Sequence, residues 1–236
     1  MKFLLLLLTG AKFGKILLTA GTMILSIIAY SWIFGWWYAI GFVLLIFVHE
    51  MGHFIAARQR GLDVGAPTFI PFVGAWIEMK QMPHDAETEA YVGLAGPFVG
   101  TLGAYLCYFL AREYNSQLLL ALSYAGYFLN LFNLIPLLPF DGGRVTQVIS
   151  PRLWLVGVPV LIALFFYHPS PMLVIMALLA APQVMRALRG EDGRDAAYYN
   201  VSVETRTTYS VAYIGLLIFL AVMCSELQQE LPQVRY

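Results

Sequence analysis

Residues 36–57 read WWYAIGFVLLIFVHEMGHFIAA, an apolar run that is interrupted only near its end by His49, Glu50 and His53. The run is long enough to cross a lipid bilayer as a helix, because about 20 apolar residues span the hydrocarbon core. The aromatic residues at its start suit a membrane interface. Ionisable side chains are costly inside such a span and tend to be functional there. The segment therefore predicts a membrane helix with a polar site near one end.

The whole chain has the composition of a membrane protein. Of its 236 residues, 60% are hydrophobic and 12% are charged, and the mean hydropathy is +0.72. Soluble domains are about 45–50% apolar and about 25% charged, so this composition excludes an ordinary soluble enzyme and a disordered chain. The formal net charge is zero, which leaves no basic surface for nucleic acid. We predict an all-α polytopic membrane protein that contacts the lipid bilayer and binds no nucleic acid.

Apolar runs along the chain predict about six or seven transmembrane helices within a single domain, residues 1–236. The central part of this domain, residues 36–150, contains the quoted span and two further spans. Peripheral helices are predicted at 16–34, 152–188 and 208–225, and the two short segments within 152–188 leave open whether both cross the bilayer fully.

Residues 61–90 differ from the spans because glycine and proline recur among apolar, aromatic and β-branched residues. This stretch is too short and too broken to cross the bilayer as a helix. A short membrane-associated β-hairpin or re-entrant segment is therefore predicted around residues 65–80.

The distribution of basic residues predicts the orientation. If the N-terminus lies in the cytoplasm and the spans alternate, every Lys and Arg except Arg112 and Arg235 falls on the cytoplasmic side. An excess of Lys and Arg in cytoplasmic segments is the rule for membrane proteins. We therefore expect a multi-pass protein whose N-terminus, and the polar end of the span at 36–57, face the cytoplasm.

The polar residues of the quoted segment form the pattern H-E-x-x-H, with His49 and His53 four residues apart. On a helix these two side chains lie on the same side, one turn apart, where both imidazoles can bind one Zn²⁺. Glu50 lies beside them and is placed to accept a proton from water rather than to bind the metal. The pattern predicts a zinc site at the end of this span.

A catalytic zinc usually has three protein ligands, so a third must come from elsewhere in the chain. Asp141 follows a segment broken by prolines and precedes two glycines. It is either the third ligand or a helix cap for the segment that begins at Gly142. Other candidates lie in the polar loop near residue 85 or on the opposite side of the membrane, namely His84, Asp85, Glu87, Glu89 and His168.

Two asparagines lie in the apolar run before Asp141. The Asn133 amide either donates to a developing oxyanion or forms a hydrogen bond between helices. Asn130 lies one turn away, and for it we expect a structural role.

Three separated motifs carry a family resemblance: the H-E-x-x-H pattern, a G-P-x-x-G pattern at residues 96–100, and an N-x-x-P…P-x-D-G pattern at residues 133–142. Together, over about residues 36–150, they resemble the site-2 protease family of intramembrane zinc metalloproteases. One departure is Phe140, where many members of the family have leucine before the aspartate.

The resemblance implies one Zn²⁺ per chain, held by His49, His53 and Asp141. It implies that Glu50 is the general base and that Asn133 stabilises the transition state. It also implies an active site near the cytoplasmic face of a bacterial plasma membrane. The expected function is then a zinc-dependent intramembrane endopeptidase that cleaves transmembrane helices of membrane-protein substrates in regulated intramembrane proteolysis.

Substrate recognition is expected to rest on the membrane core, on an adaptor protein or on a second copy, because the chain has no room for the PDZ or nucleotide-sensing domain of many bacterial members. In the family, strands near residue 70 are thought to present an edge to an unwinding substrate helix. The predicted substrate-binding residues are accordingly Phe69, Ile70, Phe72, Val73 and Gly74. Alternatively, this segment is a plug at the membrane surface with no role in substrate binding.

Two other functions are compatible with the motifs. One is a catalytically silent, zinc-bearing scaffold that binds transmembrane helices, although such a protein would have no need for Glu50. The other is a metal transporter that uses His49, His53 and Asp141 as a transit site. A transporter would need further ligands along a path to the outer face, and the other spans supply no interior His, Asp or Glu.

Overall fold

The computed structural model describes residues 2–72, 74–76, 81, 83–167, 169–189 and 196–231. These residues form eight α-helices, two short 3₁₀ turns at Pro151–Leu153 and Ala196–Tyr199, and two strands, β1 (Thr68–Ile70) and β2 (Gly74–Trp76). The helices are α1 (Lys2–Phe34), α2 (Trp36–Gln59), α3 (Ala86–Tyr114), α4 (Gln117–Asn133), α5 (Asp141–Ile149), α6 (Trp154–Tyr167), α7 (Pro171–Arg189) and α8 (Val203–Glu230).

Five of these helices are long and apolar enough to cross a membrane: α1 from Leu17 onward, α2, α3, α7 and α8. This confirms the predicted all-α polytopic class. The second of the two further spans predicted within 36–150 forms α4, which has only 17 residues. The first of the two short segments predicted within 152–188 forms α6, which has 14. Helix α4 ends at Asn133, ahead of Pro136, since a proline lacks the N–H group that would continue the helix and restricts the residue before it.

Helices α2, α3 and α4 pack closely through small residues. A Cβ atom at Gly126 of α4 would lie 2.8 Å from the Ala104 Cβ of α3, and one at Gly103 of α3 would lie 3.1 Å from a methyl carbon of Val48 on α2. Small residues at helix contacts let the backbones approach, which is how helices associate in a bilayer. Because the backbones approach closely, side chains of α2, α3 and α4 meet in one region of the bundle.

The two ends of the bundle differ in chemistry. At the end where α2 finishes and α3 begins, which we call the polar end, Arg60 forms an ion pair with Glu87 at 3.3 Å. At the opposite end, which we call the aromatic end, α1 is joined to α2 and the side chains of Trp32 and Trp37 are exposed. Trp at this position is typical of a membrane–water interface.

Strands β1 and β2 form an antiparallel hairpin with the pairs Thr68–Trp76, Phe69–Ala75 and Ile70–Gly74. The structure therefore has a hairpin at the place where one was predicted. Three side chains of α1 fix it through its backbone. The Thr19 hydroxyl donates to the Pro67 carbonyl at 2.7 Å, and the N–H groups of Phe69 and Phe72 donate to the hydroxyls of Thr22 and Tyr30 at 3.1 Å.

The loop between α4 and α5 is held by helices from the second half of the chain. The Tyr213 hydroxyl of α8 donates to the Leu134 carbonyl. The Leu138 N–H donates to the Gln183 side-chain oxygen of α7 at 2.9 Å. These bonds satisfy backbone groups that Pro136 and Pro139 leave outside any helix, and they fix the loop that leads into α5.

Candidate metal centre

His49, His53 and Asp141 converge between α2 and the start of α5. The two Nε2 atoms lie 3.1 Å apart, and each lies 3.2 Å from Asp141 Oδ2. All three residues are buried, with relative exposures of 3%, 8% and 7%. Within the part of the chain that the structure describes, this is the one group of three or more His, Cys, Asp or Glu residues placed to hold a metal ion.

The hydrogen bond made by Nδ1 of His53 determines which ring nitrogen carries the proton. Its Nδ1 atom lies 2.7 Å from the backbone carbonyl oxygen of Val92 on α3. A carbonyl oxygen only accepts hydrogen bonds, so Nδ1 carries the proton and donates. In the neutral ring, the Nε2 atom therefore presents its lone pair to Asp141 and His49.

Asn130 orients His49 in the same way. Its side-chain nitrogen donates to the Gly126 carbonyl at 2.7 Å, which turns the amide oxygen towards His49 Nδ1 at 2.8 Å. The orientation of this amide follows from its two hydrogen bonds. His49 Nδ1 is then a donor, and its Nε2 lone pair points into the cluster. Hydrogen bonds of this kind to the outer nitrogen of a histidine fix metal-binding imidazoles in many sites.

The three inward-facing atoms fit a metal ion. Two nitrogen lone pairs and a carboxylate oxygen this close together repel one another unless a cation lies between them. Ligand atoms of a tetrahedral zinc with bonds of about 2.0 Å lie about 3.3 Å apart, and the distances among these three atoms are 3.1 Å and 3.2 Å. Three protein ligands leave the fourth position free, as in a catalytic zinc site. The donor set supports the predicted Zn²⁺.

The glycines of the G-P-x-x-G motif line the site. A Cβ at Gly96 would lie 2.1 Å from His53 Nε2, and one at Gly100 would lie 2.3 Å from the Asn130 amide oxygen. Gly52 of α2 faces the same helix, because its Cβ would lie 2.4 Å from the Ala95 carbonyl oxygen. Any larger residue at these positions would displace a metal ligand, its hydrogen-bond partner or the α3 backbone.

Asp141 does not cap a helix. It is the first residue of α5, its neighbour Phe140 is the N-cap, and no side chain forms a capping hydrogen bond there. The alternative of a helix cap is therefore excluded. Gly142 allows the turn before it, because a Cβ at that position would lie 2.2 Å from the Leu134 carbonyl oxygen.

The other candidate ligands lie elsewhere. Asp85 caps α3 by accepting from the Thr88 N–H at 2.6 Å, Glu87 pairs with Arg60, and Glu89 accepts from the Tyr198 hydroxyl. The imidazole of His84 is largely exposed and lies 3.8 Å from Asp85. His168 lies outside the described residues.

Glu50 is buried directly after the first ligand of α2. No residue in the described ranges donates a hydrogen bond to its carboxylate, although the side chain is only 9% exposed. A buried carboxylate without such donors keeps its lone pairs for water or substrate. Its place in the structure is compatible with the predicted role of a general base, and that role remains a prediction.

The predicted role of Asn133 in stabilising the transition state remains a prediction. Asn133 is the last residue of α4, is half-buried, and donates one amide hydrogen to the Leu129 carbonyl at 3.0 Å. The asparagine that forms a hydrogen bond with a candidate metal ligand, His49, is Asn130, for which a structural role was expected. The local sequence holds no signal that separates the two asparagines, since both lie in the last turns of the same largely apolar helix.

The predicted substrate-binding residues lie on the hairpin, with Val73 outside the described residues. Phe69 is buried and its N–H is already bonded to α1, whereas Ile70 and Phe72 are exposed. The Phe69 N–H points towards α1 and away from β2. Phe69 and Ala75, which lie opposite each other, are therefore a pair that exchanges no hydrogen bonds. The backbone N–H and C=O of Ala75 therefore face the outer edge of β2.

Comparison with known proteins agrees with the sequence motifs. Residues 37–116 match the model of the family described as Peptidase family M50. The resemblance to the site-2 protease family that the motifs indicated is thereby confirmed in the segment that contains H-E-x-x-H and G-P-x-x-G.

Individual relatives cover parts of the chain. Zinc metalloprotease MJ0392 of Methanocaldococcus jannaschii is 30% identical over 123 residues, which are 49% of this chain and 35% of that protein. Probable zinc metalloprotease EGY1, chloroplastic, of Arabidopsis thaliana is 36% identical over 67 residues, 26% of this chain and 12% of that protein. The chain thus spans about a third or less of the length of these curated relatives. The solved structure of the site-2 protease from Methanocaldococcus jannaschii aligns with 77% of this chain and 89% of that chain, at 24% identity and a TM-score of 0.46.

Proposed function

We propose that this chain, whose core carries the peptidase family M50 segment, is a zinc-dependent intramembrane endopeptidase that cleaves transmembrane segments of membrane-protein substrates. One observation carries the proposal. His49 and His53 turn their Nε2 lone pairs towards Asp141 Oδ2 within 3.2 Å, and the carboxylate of Glu50 lies beside them without a hydrogen-bond donor among the described residues. This is the arrangement of a metal site with an adjacent general base.

Each polar residue of the site has a task in peptide hydrolysis. When bound by His49, His53 and Asp141, zinc polarises the scissile carbonyl and lowers the pKa of water. Glu50 takes a proton from the attacking water and delivers it to the leaving amine. Asn133 keeps one amide hydrogen beyond its bond to the Leu129 carbonyl, and this hydrogen stabilises the oxyanion.

The depth of the site fits cleavage within a membrane. About 20 Å of helix separates Trp36 from His49 at 1.5 Å per residue, while the hydrocarbon core is about 30 Å thick. The site is therefore closer to the polar end than to the aromatic end. With the basic residues gathered at the polar end, we place that end in the cytoplasm, in a bacterial plasma membrane, and water enters from there.

A substrate helix must unwind before it is cut, because its peptide groups are otherwise bonded within the helix. We propose that the unwound strand binds along the hairpin that contains Phe69, Ile70, Phe72, Val73 and Gly74. Strand addition requires free backbone groups, and α1 already bonds the N–H groups of Phe69 and Phe72. The outer edge of β2 is therefore the edge assigned to the substrate.

The test is cleavage of a generic transmembrane substrate by the zinc-loaded protein in liposomes. In Glu50→Gln the metal ligands are intact, so we expect full zinc content and a loss of cleavage of about 10²–10⁴-fold, the contribution of a general base. Glu204→Gln, at an exposed position in the first turn of α8, is the matched control and should cleave like wild type. Equal cleavage by wild type and Glu50→Gln would overturn the catalytic role.

The same experiment addresses the silent scaffold. A scaffold would bind zinc and the substrate helix in both proteins and cleave in neither. A transporter would need further ligand groups along the chain, and among the described residues the cluster of His49, His53 and Asp141 is isolated.

A further inference from the structure

Arg144 is a cation beside the metal centre for which the described residues offer no partner. It lies three residues after Asp141 on α5, so both side chains project from the same face of the helix. Its side chain is half-buried, and no residue in the described ranges accepts a hydrogen bond from its guanidinium or forms an ion pair with it. An unpaired charge in or near a membrane is costly and marks a functional position.

The stem of Arg144 packs against α3 close to the metal ligands. A Cβ at Gly93 would lie 2.9 Å from the Arg144 Cβ and 3.3 Å from the Asp141 carbonyl oxygen. Gly93 is one turn of α3 before Gly96, against which the His53 imidazole packs. Arg144 is therefore adjacent to the metal centre and displaced from it by about one helical turn towards the polar end.

The guanidinium of Arg144 lies within range of a Coulomb interaction with both Glu50 and His53. It forms no ion pair with Glu50, whose carboxylate has no hydrogen-bond donor among the described side chains and backbone groups. The guanidinium thus remains available for an anion that arrives at, or forms in, the site.

We propose that Arg144 binds the carboxylate of the peptide product. This inference rests on the proposed endopeptidase function. Hydrolysis breaks the C–N bond, adds the oxygen of water to the carbonyl carbon and transfers the protons of water to the amine. The products are a new α-carboxylate and a new ammonium group. The α-carboxylate is an anion that the intact substrate lacks at this position, and it forms next to Asp141, one turn from Arg144.

Arginine suits this ligand because its planar guanidinium donates two parallel hydrogen bonds to the two oxygens of a carboxylate. Lysine would supply the positive charge but could not donate two parallel hydrogen bonds in a fixed plane. The ligand class is therefore a short apolar peptide with a free C-terminal carboxylate, bound with its apolar part towards the membrane and its carboxylate towards the polar end.

The experiment measures binding, so that it remains informative if the protein fails to cleave. A fluorescent apolar peptide is prepared with a C-terminal carboxylate and with a C-terminal amide, and both Kd values are measured on zinc-loaded protein in detergent. Wild type should bind the acid more tightly than the amide. Because a carboxylate also binds zinc directly, the change of this ratio between variants, and not its absolute value, reports on Arg144.

In Arg144→Gln we expect the acid-to-amide preference to fall at least tenfold, while the Kd of the amide changes less than threefold. Arg144→Lys should retain part of the preference. Arg152→Gln, an exposed position in the 3₁₀ turn after α5, is the control and should keep the wild-type ratio. The Kd values of acid and amide are also measured after chelation of the metal. Wild type should then still prefer the acid, and Arg144→Gln should show no preference.

An unchanged acid-to-amide ratio in Arg144→Gln would overturn the inference. If Arg144→Gln fails to fold, as judged by zinc content and thermal unfolding, Arg144→Lys provides the same test, and an unchanged ratio there has the same meaning. If wild type binds the acid selectively through Arg144 and does not cleave a transmembrane substrate, the proposed enzymatic function fails while the anion site stands. Equal binding of acid and amide by wild type contradicts the site itself.

Discussion

A Cβ atom at Gly96 would lie 2.1 Å from Nε2 of His53, so the backbone of α3 packs directly against the imidazole of this candidate metal ligand. The opposite side of the ring is held through Nδ1, which donates to the Val92 carbonyl of the same helix. Helix α3 thus provides both the acceptor and the empty space that the ring requires, without contributing a ligand. The first glycine of the G-P-x-x-G motif is explained by this contact.

The variant Gly96→Ala should therefore lose zinc. The added methyl group must displace the His53 ring, which then leaves either the Val92 carbonyl or the metal position. We expect a fall in zinc affinity of about 10–100-fold, the range seen when the surroundings of a metal ligand are disturbed. Zinc content after dialysis against a metal buffer measures it. Gly215→Ala is the control, because a Cβ at Gly215 of α8 would contact nothing within 4 Å.

Asn130→Leu should also weaken zinc binding, for a different reason. It removes the oxygen that accepts from His49 Nδ1 at 2.8 Å. A buried N–H without a partner costs about 1–3 kcal/mol, and the ring loses the bond that fixes its orientation. We expect a rise in the Kd for zinc of about 10–100-fold, measured by competition with a chromogenic chelator. Wild-type affinity in this variant would contradict the orienting role.

Asn133→Ala should show the opposite pattern. Among the described residues its side chain forms no hydrogen bond with either histidine and donates instead to the Leu129 carbonyl of its own helix. Zinc content should stay at the wild-type level, whereas cleavage should fall by about 10²–10³-fold, as for the loss of one oxyanion donor. Single-turnover cleavage rates measure the effect. If Asn133→Ala loses zinc and keeps its rate per bound zinc, the assigned role is wrong.

Removal of the metal should destabilise the protein. A ligand at 100 times its Kd stabilises the folded state by about 2.7 kcal/mol, so chelation should lower Tm by roughly 5–10 °C. Thermal unfolding in detergent, with zinc and with excess chelator, measures the shift. His53→Ala serves as the control, since a protein that does not bind zinc should unfold at the same temperature in both conditions.

Gln183→Leu tests the support that α7 gives to the loop before Asp141. The substitution leaves the Leu138 N–H without its acceptor at 2.9 Å, at a cost of about 1–3 kcal/mol. Because this loop leads into α5, we expect a lower Tm together with a higher Kd for zinc. Gln117→Leu, at an exposed position at the start of α4, should change neither quantity.

The meeting of His49, His53 and Asp141 could be predicted from sequence because these residues have local signatures. The spacing of His49 and His53 fixes their relation on any helix, whatever the rest of the fold. Asp141 was a candidate third ligand because it lies alone between prolines and glycines. The structure excludes the alternative that it caps a helix. The membrane class followed from composition, because burial of so many apolar side chains needs lipid as well as protein.

The choice between Asn130 and Asn133 could not be made from local sequence. Both lie in the last turns of α4, and which one faces α2 depends on the rotation of the helix about its axis. That rotation is set by contacts between helices, such as Gly126 against Ala104 and Asn130 against Gly100. These contacts join residues that are distant in sequence. The same holds for the bonds from α1 to the hairpin and from Gln183 to the loop.

The hydroxyl groups of Thr22 and Tyr30 also determine how the hairpin can assemble. They bond the N–H groups of Phe69 on β1 and of Phe72 in the turn after it, whereas no described residue outside the hairpin bonds the backbone groups of Ala75 on β2. A further strand is therefore expected to add beside β2 and not beside β1. Helix α1 thus shields one side of the strand pair from edge-to-edge association.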